Sequence, residues 1–267
     1  MSRASRLART SCVLLAMVTP SIALADVYSI FNPRPRDDMR EMSTDRPDTT
    51  ESPMSVDAGH VQVELDLVAY GLDRGMVRTT TVDVASTNLK LGLTHSTDLQ
   101  LVIEPYHRER AGMTAATMAT ASGYGGTTVR VKQNLWGNDG GATAAALLPF
   151  ASLSGGAWGA GLAVPIGFEL PGGFGSAVMP QIDISDLGGS TAVSGMFTAT
   201  TSHDPVGPLA FYVEGAVMGS SDDVAVQADG GFTFAVTDDV QLDVGTRVGV
   251  IGAVPDIEVF TGLSARR

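Results

Sequence analysis

Cysteine is almost absent from this 267-residue chain, the one example being Cys12. Cys12 lies in an N-terminal stretch that reads as a secretory leader, so the mature chain has none. That excludes a disulfide framework, thiolate metal sites and cysteine nucleophiles. Cys12 also follows no small-residue lipoprotein box, so it is not read as an acylation site. Long apolar runs are missing too. No run of ~18 apolar residues occurs after residue 25, so no helix long enough to cross a bilayer is expected. Charged residues make up only 17% of the chain, against roughly a quarter in soluble domains, and aromatic residues only 6%. Lys and Arg number 17 against 29 Asp and Glu, a net charge of −12, and removing a leader with three arginines and no acids takes it to −15. A chain this acidic, with no basic patch, is a poor partner for nucleic acid.

Chemistry-bearing clusters are missing as well. His60, His95, His107 and His203 have no metal-like partner two or four residues on. The neighbours His203-Asp204 and His95-Ser96 read as turn residues, and adjacency does not make a nucleophile and its base. Gly155-Gly156 and Gly123 to Gly126 lack the lysine and helix of a phosphate loop. Asp222-Asp223 and Asp238-Asp239 are isolated pairs, short of the roughly six to eight oxygens that calcium takes. No catalytic residue, metal or cofactor is expected, and the chain is not read as an enzyme.

What is present begins with the leader. Arg3, Arg6 and Arg9 form a basic start, Val13 to Leu24 is mostly apolar, and Ala23-Leu24-Ala25 fits a cleavage site. The domain reading is a signal peptide over 1–25, an extended N-terminal periplasmic segment over 26–59 and a β-rich body over 60–267. The middle segment carries Pro33, Pro35, Pro47 and Pro53 with eight acids and four arginines. It is expected to pack at or into the periplasmic mouth of the body.

From His60 onward one pattern repeats. Apolar residues such as Val61, Val63, Leu65 and Leu67 alternate with Gln62, Glu64 and Asp66; Leu99, Leu101 and Ile103 alternate with Gln100 and Glu104. The same period of two recurs to Ile257, Val259 and Leu263. Period two puts one kind of side chain on each face of a strand. Twelve strands can be counted, many of about ten residues, the length of a tilted membrane-spanning strand. Tight connections follow the even strands, at His95-Ser96-Thr97-Asp98, Gly137-Asn138-Asp139-Gly140, Pro171-Gly172-Gly173, His203-Asp204-Pro205 and Thr237-Asp238-Asp239. Long loops are expected at Gly71 to Asp83 and His107 to Gly125. The fold class is therefore an all-β, antiparallel up-and-down transmembrane barrel of about twelve strands.

One parity collects the polar residues: Glu64, Asp66, Lys90, Gln100, Glu104, Arg130, Lys132, Asn134, Glu169, Asp183, Glu214, Asp229, Asp243, Arg247 and Glu258. In a barrel these face the lumen, with the apolar parity on lipid. In a secreted β-sandwich that binds ligands they would face water. A filled barrel with a structural or surface role is a further alternative. Nine acids and four bases in the set give the lumen a formal −5, which predicts a mild cation preference that fades with salt. Trp136, Tyr106, Phe150 and Phe168, near strand ends, are the candidates for an interfacial girdle.

Thr44-Asp45-Arg46-Pro47-Asp48-Thr49-Thr50-Glu51-Ser52-Pro53 resembles the opening motif of a bacterial outer-membrane family, labelled as transporters or as a meta-pathway of phenol degradation. Ala58 to Glu64, Asn88 to Thr94, Lys132 to Gly141 and Phe260 to Ser264 continue the resemblance across the mature chain. Where family members place an aromatic residue after Gly-Leu-Ser, this chain has Ala265-Arg266-Arg267. The resemblance implies an outer-membrane barrel of a Gram-negative bacterium, passively taking up small solutes, aromatic ones among them. Its implied partners are outer-membrane lipid, the barrel-assembly machinery and a small-molecule solute. It supplies no catalytic residue.

Overall fold

The computed structural model describes residues 28–186, 189–221 and 223–267. The expected leader, Asp26 and the Asp222 half of one acidic pair lie outside the described residues. The body is a closed antiparallel barrel of twelve strands. These are β1 (Val61–Asp73), β2 (Arg78–Thr94), β3 (Thr97–Glu104, resuming as Tyr106–Gly112), β4 (Ala119–Gly123, resuming as Gly126–Trp136) and β5 (Thr143–Ser154). They continue with β6 (Ala157–Ala163, resuming as Ile166–Leu170), β7 (Phe174–Asp186), β8 (Thr191–Val206), β9 (Leu209–Ser220), β10 (Val224–Thr237), β11 (Val240–Ile251) and β12 (Ile257–Arg266). Each strand pairs with its sequence neighbours, and β1 closes the circle by pairing with both β2 and β12. Closure leaves no long edge for another chain to extend.

Alternation decides the two faces. Leu89, Val131, Ile182, Phe197, Val213, Phe232, Val244 and Val259 are exposed on the outside. The residues between them, among them Lys90, Lys132, Thr198, Glu214 and Asp243, are buried inside. This inversion of a soluble protein is the arrangement of a barrel in lipid. One bulge resets the alternation: the β1–β12 register shifts between Asp66 and Val68, leaving both Leu67 and Val68 outside.

Two expectations are corrected. The long loops placed at Gly71 to Asp83 and His107 to Gly125 are largely strand: β1 ends only at Asp73 and β2 begins at Arg78. The Thr-rich run Arg78 to Val84 has a ladder partner on either side, in β1 and in the second part of β3. Its β-branched residues suit a strand, although its polarity resembles a loop. Phe150 does not join the outer girdle. It shares the inward parity of Leu148 and lies against Gly161, where there is no side chain to exclude its ring. Trp136 and Tyr106 are exposed on the outside.

The barrel interior is uneven. Charged residues crowd β1–β4 and β9–β12, whereas the inner face of β5–β8 carries an apolar patch, with Ala144, Ala146, Leu148, Ala163 and Met179 buried and Met196 packed against them, beside polar residues such as Gln181, Asp183 and Thr198.

Candidate functional site

The polar parity meets the N-terminal segment inside the barrel. Four prolines keep that segment extended and out of any ladder. It begins at the rim formed by the tight turns, where the Ile30 N–H donates to the Leu93 carbonyl at 2.9 Å and Arg36 pairs with Asp239 at 2.8 Å. It then rises to a bend at residues 45–51 and returns to Gly59, from which β1 departs. The Ser43 and Ser52 hydroxyls, 2.6 Å apart, tie the two limbs together.

A buried segment without regular structure must find partners for its N–H groups elsewhere. Lumen side chains supply them. The Glu64 carboxylate accepts from the Asp45 N–H at 3.1 Å to each oxygen. Glu214 accepts from the N–H groups of Thr49 and Thr50, both at 2.8 Å, and also from the Thr50 hydroxyl. Asp98 takes the Val56 N–H at 2.9 Å, and Asn138 takes that of Ser55 at 2.9 Å. Anionic acceptors make such bonds stronger than neutral ones, which is a physical reason for acids to outnumber bases on this face.

The side chains of the bend complete the network. The chain has only two lysines, Lys90 and Lys132. Both are buried, and both pair with Asp45, Lys132 at 2.5 Å, while Lys90 also reaches Glu64. Arg46 grips Asp243 with two nitrogens, at 2.7 and 3.1 Å, and pairs with Asp66. Its guanidinium occupies the space a side chain would fill at Gly262. Glu51 pairs with Arg130. Arg247 bonds the Pro47 carbonyl at 3.4 Å and pairs with Glu258 and Asp229, and Asp229 accepts the Tyr212 hydroxyl at 2.8 Å. On the return limb Asp57 holds Arg40 at 2.7 Å and Arg34 at 3.4 Å, and Arg266 approaches it to 3.7 Å.

These surroundings set the acids of the bend apart. Burial alone would raise Asp45, but Lys132 and Lys90 hold it well below the carboxylate range. For Glu51 burial dominates, Arg130 opposes it and Asp45 adds to it, leaving the carboxyl pushed up to about 7. Asp48 is also raised well above its ordinary value, by burial and the nearby Glu214, against a hydrogen bond from Thr200.

Of the sequence-derived lumen residues, Glu64, Asp66, Lys90, Arg130, Lys132, Asn134, Glu214, Asp243 and Arg247 touch the segment directly, Asn134 by donating to the Pro53 carbonyl at 2.8 Å. Asp229 and Glu258 reach it through Arg247. Asp183 bonds Gln181 at 2.9 Å and faces Glu51 across a small cavity. Glu104 and Glu169 are exposed and make none of these contacts. The motif residues Thr44 to Pro53 form the bend itself. Sequence reasoning missed Asp98, Thr198 and Tyr212. Asp98 was assigned to a turn, although counting back by two from Gln100 puts it on the inner face.

Two spaces remain beside the bend. A cavity of 410 Å³ lies toward the tight turns, between the segment and β5–β11, lined by residues such as Pro47, Thr50, Ser176 and Phe211. A cavity of 170 Å³ lies on the other side, against Leu148, Phe150 and Ala163. Among the described residues, Glu51 alone borders both.

The return limb reaches β2 at Gly92, whose N–H donates to the His60 carbonyl at 3.0 Å while its carbonyl accepts the Gly59 N–H at 2.8 Å. A Cβ there would overlap the backbone oxygens of Val56 and Asp57. Gly92→Val is expected to displace the return limb without touching the lipid face. Trypsin cleavage after Arg40, which Asp57 of the return limb holds, should then speed up by at least tenfold in the folded barrel, and unchanged cleavage would contradict this placement.

Residues 44–266 match the family described as "Putative MetA-pathway of phenol degradation". The chain belongs to this family. The matched stretch starts at the bend and ends in β12, so the family pattern spans the segment as well as the barrel. No curated relative matches the sequence. Among solved structures, the KdgM porin in complex with disordered oligogalacturonate aligns at 5% identity with a TM-score of 0.50, over 77% of this chain and 98% of that one. The NanC porin aligns at 11% identity with a TM-score of 0.49, over 78% and 99%. The CymD monoaromatic hydrocarbon channel aligns at 8% identity with a TM-score of 0.42, over 78% and 87%. At these identities the likeness is one of fold, and the fold is that of outer-membrane porins.

Proposed function

We propose that this member of the phenol-degradation family is a passive channel for small solutes in a Gram-negative outer membrane. It reaches the membrane by a cleaved leader and barrel assembly, and its N-terminal segment narrows the lumen from the periplasmic side. The observation that carries this reading is the pair of cavities flanking the bend. Twelve strands make a lumen between the side-chain-filled eight-stranded barrel and the water-filled sixteen-stranded porin. Here the segment divides that lumen into spaces of 170 and 410 Å³ beside its bend and of 490 and 520 Å³ along its limbs toward the tight turns, each of a size for a small organic molecule rather than a polymer. The family's description favours aromatic solutes, and the apolar patch on the inner wall of β5–β8 offers such solutes a surface to slide along. The site is read as a conduit and not as a catalytic centre.

A second reading, a filled structural barrel, is favoured by the ion pairs that tie the bend to β1, β2, β4 and β11. Liposome swelling separates the two. Refolded protein in liposomes should admit neutral solutes of benzyl-alcohol size and exclude disaccharides. Swelling with neither would support the filled barrel, and equal swelling with both would contradict the narrowed lumen.

A further inference from the structure

The 170 Å³ cavity has two unlike walls. Leu148, Phe150 and Ala163 form an apolar one, while Arg130, Glu51 and Asp183 stand on the polar side. Its volume is close to that of an engineered apolar cavity of about 150 Å³ that binds benzene, so it suits a single ring. Among the described residues Arg130 forms its ion pair with Glu51. Glu51 is an awkward partner for it. It lies beside Asp45, and the two carboxylates repel, whereas Asp45 itself is held by Lys90 and Lys132.

We propose that Arg130 is the anion-binding end of a solute subsite: a small monocyclic carboxylate rests its ring on Leu148, Phe150 and Ala163, and its carboxylate replaces Glu51 on Arg130. The inference rests on the channel reading and names the solute class for that same lumen. Arg130 suits the task because its planar guanidinium binds carboxylates through two parallel hydrogen bonds. An incoming carboxylate on Arg130 is also near Asp45, whose charge Lys90 and Lys132 offset. The displaced Glu51 takes up one proton from water and stays neutral beside Asp45, so the site exchanges one anion for another without adding net charge.

The charged groups around Glu51 fit this exchange. Asp45 comes from its own segment, Lys90 from β2, Arg130 and Lys132 from β4, and Asp183 from β7 across the cavity. Because Glu51 titrates near neutrality while an aromatic carboxylic acid is already ionised, uptake of the proton sets the pH dependence. If only the protonated Glu51 state is competent, apparent affinity falls in proportion to that state's population, roughly tenfold from pH 6 to pH 8.

The test uses the refolded full chain in detergent micelles, with benzoate titrated calorimetrically at pH 6 and pH 8. Benzoate should bind about tenfold more weakly at pH 8, and benzamide should bind weakly at both. Glu51→Gln, a fixed neutral side chain, should bind benzoate with the same affinity at both pH values. Arg130→Gln should lose at least tenfold while keeping heat-modifiable gel migration. An unchanged parent affinity across pH, retained pH dependence in Glu51→Gln, or benzamide matching benzoate would each overturn the inference. Planar-bilayer conductance of the same preparations keeps the two proposals apart. A protein that conducts but ignores benzoate loses only the subsite, and one that binds benzoate with no conductance loses only the channel.

Discussion

Asp45→Ala is expected to release the N-terminal segment from the lumen. Lys132 pairs with Asp45 alone, and Lys90 shares its ammonium between Asp45 and Glu64. Removing the carboxylate leaves buried Lys132 without its direct partner, with Asp98 and Glu51 only in its wider surroundings, and breaking a buried pair from one side costs up to about 3–5 kcal/mol. That corresponds to a shift of roughly two to three and a half decades in the docking equilibrium. The Ser52 N–H also loses its acceptor, at 2.9 Å in the parent, so the bend opens where its limbs cross. Cleavage after Glu51 by a glutamate-specific protease in the folded, heat-modifiable barrel measures this directly. The double variant Asp45→Ala, Lys132→Met should recover part of the protection because it removes the stranded charge. Full protection of the Glu51–Ser52 bond in Asp45→Ala would show that the lysine pair does not hold the segment.

The acids of the bend give docking an unusual response to pH. Asp45 is depressed in the folded state, so its contribution is present above the ordinary carboxylate value and persists well into acid. Glu51 is raised to about 7. A raised acid contributes stability that is full below its unfolded value and lost as pH climbs through the folded one. Docking should therefore weaken between about pH 4 and pH 7 through Glu51, and Glu51→Gln should flatten that slope.

Much of the barrel was legible because a strand in lipid announces itself residue by residue. The alternation of Leu99 and Leu101 with Gln100 needs no partner to be read, and the turn residues at Asn138 and at Asp238-Asp239 mark hairpins locally. Where composition and periodicity disagreed, composition misled: the run Arg78 to Val84 is polar enough for a loop but pairs on both sides. The site was harder to read because its partners are far apart in sequence. Arg46 meets Asp243 and Thr50 meets Glu214, and nothing within the bend or along either strand specifies those pairs. The same distance undermines a simple count of lumen charge. A formal −5 treats each side chain as free, whereas Glu64, Asp66, Glu214 and Asp243 are each occupied by the segment. Neutralising Glu64, Asp66 and Glu104 together therefore disturbs docking as well as ion preference, and only Glu104, exposed and apart from the network, separates the two effects.

The central claim is that the segment narrows an otherwise wider lumen, and single-channel conductance tests it most directly. The parent and a variant lacking residues 26–53 are refolded, checked for heat-modifiable migration and inserted into planar bilayers in the same salt. The segment touches at least six of the twelve strands through β1, β2, β3, β4, β9 and β11, so its removal clears the middle of the lumen. The deletion should raise unitary conductance several-fold and admit solutes that the parent excludes. A folded deletion variant with the parent's conductance and size limit would contradict the account.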